Sequence, residues 1–165
     1  MEVDTLIEQL LFTTIRIETT TSVGQGTGTG FVFTYTSPQG PAPFLVTNKH
    51  VIANAQKGKF ILLKAHNGKP LLGVGFPIQV DDFEQTWFGH PDPEIDVAVM
   101  PLNPLLQLMT QSEVEIFYRS IVDSFIPSED DLKNLDALEE IIFIGYPNGI
   151  WDQKNLLPIM RKGIR

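Results

Sequence analysis

Apolar and polar positions along the chain change period several times. Val3, Leu6, Ile7, Leu10 and Leu11 recur at helical spacing, which predicts a short helix over residues 3–11. Thr13 to Thr19 then alternates and is β-branched, as a half-buried strand is. Further strands are expected at Phe31–Tyr35, Phe44–Thr47, Phe60–Ala65, Leu71–Val80 and Ile95–Leu102. Turn residues separate them: Ser37-Pro38-Gln39-Gly40-Pro41, the hairpin dipeptide Asn67-Gly68, and the proline-punctuated loop Trp87–Pro93. Short strands broken by turns predict an all-β, mainly antiparallel fold, a closed β-barrel rather than a parallel sheet, with the N-terminal helix capping one end.

Residues 103–138 have a different character. Leu105, Leu106, Leu108 and Met109, then Val114, Ile116, Phe117 and Ile121, are mixed with acidic residues, which predicts a helical or irregular connector. Ile141 to Tyr146 is a strong strand, and Leu156 to Ile164 a weaker one because Pro158 cannot donate to a ladder. The chain thus divides into a first barrel with its helix (1–102), a connector (103–138) and the opening of a second barrel (139–165).

Charge and composition narrow the function classes. The 165 residues carry a net charge of −8, and no basic cluster offsets it. Nucleic acid and anionic membranes both require Lys or Arg to neutralise phosphates, so neither is an expected partner. The absence of cysteine rules out disulfides, a thiol nucleophile and thiolate metal sites. With the acidic start Glu2-Val3-Asp4, which is not a secretory signal, it leads to an expected cytoplasmic location. No apolar run approaches a membrane span.

His50 ends the strand at 44–47 and sits on a short turn, with apolar residues on both sides. An imidazole there is either a satisfied core histidine or a catalytic base. Asp96 lies within the apolar run Ile95-Asp96-Val97-Ala98-Val99, where neither face of the strand looks solvated. A buried carboxylate needs a partner, so Asp96 either bonds the backbone at a strand start or accepts a proton donor such as His50. Gly24-Gln-Gly-Thr-Gly-Thr-Gly30 lacks the offsets of a phosphate-binding loop and precedes a strand, so it is expected to be a flexible turn. His66, before the Asn-Gly turn, is expected to be solvated. His90, with Asp92 and Glu94, lacks metal-ligand spacing. Asp81-Asp82 is expected to be solvated charge, and Ser128 with Asp131 to cap a helix.

Four stretches together carry a family resemblance. They are Gly28-Thr29-Gly30-Phe31, Thr47-Asn48-Lys49-His50-Val51, Asp96-Val97-Ala98-Val99-Met100-Pro101-Leu102 and Gly145-Tyr146-Pro147-Asn148-Gly149. In this order the chain resembles the trypsin-like (chymotrypsin-fold) serine peptidases, in their cysteine-free, bacterial-type branch. The resemblance implies that His50 is the general base and later the acid, and that Asp96 accepts its Nδ1–H. It implies a protein or peptide substrate, and no cofactor or metal. The family's nucleophilic serine lies in a Gly-x-Ser-Gly-type loop. None of the six serines here (Ser22, Ser37, Ser112, Ser120, Ser124, Ser128) has glycine neighbours. The chain therefore looks like the front part of a peptidase, inactive alone, with the nucleophile and oxyanion hole expected after residue 165. The alternative is a non-catalytic module that keeps the fold and binds a protein partner. In either case the apolar strand 141–146 is expected to pair with another chain or to dock on the connector at 105–121.

Overall fold

In the computed structural model, which describes residues 2–136 and 138–164, the alternating segments form long antiparallel strands. The helix α1 (Leu6–Leu11) opens the chain, and a reciprocal capping box between Thr5 and Glu8 satisfies its first turn. The strands β1 (Thr14–Thr21), β2 (Gly24–Ser37) and β3 (Gly40–Thr47) follow, then the four-residue helix α2 (Lys49–Ile52). Next come β4 (Lys57–His66), β5 (Lys69–Asp81), β6 (Phe88–Gly89) and β7 (Ala98–Pro101). Asn67 and Gly68 join β4 to β5 with both φ angles positive, as a tight hairpin turn requires.

The helix α3 (Asn103–Gln111) begins the segment read as a connector. That segment is stitched into the sheet. Its strands β8 (Ile116–Phe117) and β9 (Ile121–Val122) pair with β4 and β2, and Met109 of α3 is buried in the core. The helix α4 (Glu129–Lys133) has the Ser128–Asp131 capping box expected of it. The chain then forms β10 (Glu140–Gly145) and β11 (Ile159–Ile164), which pair with each other. Pro158 lies just outside β11, where a missing N–H costs nothing. No helix among the described residues is long and apolar enough to cross a membrane.

The main sheet has the order β5-β4-β1-β2-β3-β7-β6, with β8 and β9 attached at its sides. The fold is therefore mainly antiparallel β, as the alternation predicts. No strand pairing joins β5 to β6 among the described residues, so hydrogen bonds alone do not close the sheet. Its inner face holds the core, where Ile17, Val32, Leu45, Phe60, Phe83 and Leu102 are almost wholly buried. Each such side chain contributes about 1.5–3 kcal/mol through burial.

The glycine-rich stretch 24–30 is strand rather than flexible turn. It pairs with β1 along its length, and the turn is Ser22-Val23. Gly26, Gly28 and Gly30 alternate, and a Cβ at each would run into Thr19, Val51 or Ile17. Glycine here makes room for close neighbours.

The segment from β10 to β11 docks on the main sheet and, through Leu156 and Leu157, on Phe117 of the stretch 105–121 read as a connector. The Tyr146 N–H donates to the Thr29 hydroxyl at 3.1 Å, and its own hydroxyl donates to the Thr14 carbonyl at 3.3 Å. The Gly73 N–H donates to the Asn155 carbonyl at 3.2 Å. Trp151 stacks edge-on against Tyr146 and lies under the Arg16 guanidinium, which is paired with Glu18. Leu156 and Leu157 pack on a small cluster of Phe12, Leu63 and Phe117.

Candidate functional site

Thr47 ends β3 buried, and the chain turns at once into α2, so Asn48 and His50 emerge at the surface. The proline-rich loop before β7 arches over this turn and is closed by the His90 N–H donating to the Val97 carbonyl at 2.8 Å. His50 and Asp96 meet there. His50 Nδ1 lies 2.5 Å from Asp96 Oδ2, and the His50 backbone N–H donates to Asp96 Oδ1 at 3.1 Å. The carboxylate thus uses one oxygen for the ring and the other for the main chain. That pattern holds the imidazole in the tautomer with its proton on Nδ1 and leaves Nε2 as the basic nitrogen.

Asp96 departs from its expected setting. Its side chain is 46% exposed and that of His50 is 71% exposed. Ile95 and Val97 are also exposed, because β7 starts only at Ala98. Two prolines and the arched loop keep residues 91–97 off the sheet. Burial therefore does not force the pairing, and the hydrogen bonds carry it. They hold the Asp96 carboxyl below its ordinary value of 3.8, chiefly through the His50 ring, with the His50 and Lys49 backbone N–H groups adding to it. A carboxylate whose pKa is depressed by folding stabilises the fold above its unfolded pKa and loses that contribution as pH falls through the folded value. The stability difference between the wild type and Asp96→Asn should therefore shrink on acidification below about pH 4. Urea titrations at stepped pH measure it, and a difference unchanged down to pH 2 would refute the assignment.

The remaining motif stretches gather around this pair. A methyl group at Gly28 would overlap both γ-carbons of Val51, the residue after His50. The Thr47 hydroxyl donates to the Thr29 carbonyl at 2.9 Å, and the Thr29 hydroxyl accepts the Tyr146 N–H. Gly145 has no side chain where Thr29 packs against it. All four quoted stretches therefore touch one another in sequence-distant pairs.

A groove of about 340 Å3 runs beside His50, along Val23, Gly24, Gln25, Gly26 and Thr27 of the β1–β2 tip. Among the described residues, β2 pairs over 24–30 only with β1, since its register with β3 begins at Phe31. No serine lines this groove among the described residues.

His66 is exposed and near the Asn67 amide, and His90 Nδ1 accepts the Asp92 N–H at 3.1 Å. Among the described residues, no three His, Asp or Glu side chains come together as metal ligands do. Asn48 and Lys49 carry contacts that reading the sequence did not assign. Asn48 Nδ2 donates to the Asp96 carbonyl at 2.7 Å, and Lys49 Nζ to the Asp92 carbonyl at 2.8 Å. Their signal was adjacency to His50 in an otherwise apolar stretch. The chain matches no protein-family model, and its sequence is not significantly similar to any curated protein.

Proposed function

We propose that this chain is the His–Asp portion of a trypsin-like serine endopeptidase, its main sheet corresponding to the first barrel and β10–β11 to the first strands of the second. One observation supports this most: the four stretches that carry the resemblance converge on a hydrogen-bonded His50–Asp96 pair. In this reading His50 Nε2 takes the proton of a serine hydroxyl as that oxygen attacks the scissile carbonyl. The imidazolium, held by Asp96, then returns the proton to the leaving amine. In this reading the serine and the oxyanion-hole donors are not among these 165 residues and would be supplied from outside them. The groove along β2 fits a peptide substrate, because its one-sided strand offers main-chain groups to an extended chain.

The test is labelling by a fluorophosphonate, which phosphonylates activated serines with loss of fluoride. The 165-residue chain should neither label nor turn over peptides, since loss of the nucleophile costs on the order of 10⁶ in kcat in a comparable triad. A longer form carrying a Gly-x-Ser-Gly loop should label, and His50→Ala should abolish it. Labelling of the short chain above a heat-denatured control would refute the assignment of the serine.

A second reading, a non-catalytic binding module, is favoured by the exposure of both dyad side chains. A working site excludes water, and this one lies open. Failure of every longer natural form to label would select it.

We also propose self-association through residues 141–146. Ile142 and Phe143 are exposed, and β10 pairs only with β11 among the described residues, so its other edge presents main-chain groups. Light scattering after size exclusion should give a species larger than the monomer, and Phe143→Lys should return it to monomer. Equal masses for the two chains would move the contact elsewhere.

A further inference from the structure

Three consecutive residues, Asn48, Lys49 and His50, each bond to the loop that carries Asp96. The loop's own bonds close its base and set its shape: the His90 N–H to the Val97 carbonyl, the Asp92 N–H to His90, the Glu94 N–H to the Asp92 carboxylate, and the Ile95 N–H to the Asp92 carbonyl. None of these ties the loop to α2. Its residues 91–97 are all exposed, so no buried side chain anchors it either. What remains are the bonds from residues 48–50.

Lys49 is the unusual member. A surface lysine normally keeps its rotamer freedom and remains hydrated. Here its stem crosses β6 at Gly89, where a Cβ would come within 3.3 Å of Lys49 Cε. The missing side chain at 89 leaves a track for the stem, and the ammonium ends on a backbone carbonyl rather than on a carboxylate. Such an acceptor fixes a main-chain position. Asp92 lies four residues before Asp96, so holding its carbonyl sets the far side of the arch whose near side meets His50.

We propose that Lys49 is a positioning residue: by holding the Asp92 carbonyl, its ammonium keeps the Asp96 carboxylate in register with His50 Nδ1. Asn48 secures the same loop at the Asp96 carbonyl. This rests on the His50–Asp96 dyad reading.

The test is nuclear magnetic resonance of the histidine ring nitrogens at one fixed pH, with amide exchange of His90 and Ile95. The wild type should show the Nδ1–H tautomer at His50 with a low-field proton, and Asp96→Asn should remove that proton. If Asp96→Asn changes nothing, the dyad reading itself fails, whatever Lys49 does. Lys49→Met keeps the stem and removes the donor. It should broaden or abolish the low-field signal and speed amide exchange at His90 and Ile95 by about five- to tenfold, the scale of one ordinary intramolecular hydrogen bond. The melting temperature should stay near that of the wild type, which separates positioning from folding. Lys49→Arg, which retains a cationic donor, should restore both readouts. A Lys49→Met variant with the wild-type ring signal and exchange rates would overturn the proposal. So would Lys49→Arg and Lys49→Met variants that behave alike.

Discussion

Replacing Gly58 with alanine should destabilise the fold by about 2–3 kcal/mol, near the upper end of what overpacking costs. Gly58 lies in β4, and a methyl group there would overlap the ring of Phe83. That ring is fully buried and stacks edge-on against Trp87 at 5.5 Å, itself almost wholly buried. It cannot rotate into solvent, and behind it stands the core cluster that holds Phe60 and Met100. Relief must come from β4 or from the short turn Phe83–Thr86 that carries the ring. For a chain of this size the melting temperature should fall by about 4–12 °C. Urea unfolding should show a lower midpoint with an unchanged slope, since the surface exposed is the same. Gly68→Ala is the contrast: open space surrounds it and only its positive φ opposes a side chain, so its cost should be about 1 kcal/mol. A Gly58→Ala protein within 0.5 kcal/mol of the wild type would show that Phe83 has room to yield.

Gly28→Ala should break the His50–Asp96 contact while leaving the strands paired. The added methyl meets both γ-carbons of Val51, and a β-branched side chain on a helix has few other rotamers. The four-residue α2 therefore has to shift, and His50 shifts with it. The 2.5 Å approach of ring to carboxylate is the first casualty of a displacement of about 1 Å. In an active longer form, a misplacement of that size costs about 10²-fold in rate. Ring-nitrogen resonances measure the loss directly. A His50 signal identical to the wild type would mean that α2 absorbs the methyl elsewhere.

Much of this site was legible in the chain, and what was not has identifiable causes. Alternation and turn dipeptides marked the strands, since Ile15, Ile17, Val32 and Leu45 face the core at a period of two. The pairing of His50 with Asp96 was expected on two grounds, motif order and a carboxylate trapped between two apolar faces. The second ground was wrong. Ile95 and Val97 look like strand interior in one dimension, but Pro91 and Pro93 lift the loop into water. The glycine run read as a turn because composition reports permitted φ angles. It cannot report that Val51 and Thr19 occupy the space a side chain would need. The two-residue strands β8 and β9 were invisible for a simpler reason: pairs such as Ile116-Phe117 have no measurable period, and only their partners β4 and β2 make them strands.

The place of β1 in the middle of the sheet also sets an order of events in synthesis. Its neighbours are β2, which follows at once, and β4, which ends only at His66. The β1–β2 hairpin can close within microseconds of emerging. Its other edge must then wait for about 30 more residues, roughly 1.5–6 s at ordinary ribosomal rates. During that interval Ile17 and Thr19 present bare main-chain groups that end up paired with Phe60 and Gly58. The nascent chain is therefore most open to capture by a foreign strand, or by a chaperone, before β4 arrives, and slowed translation across residues 50–66 would lengthen that exposure.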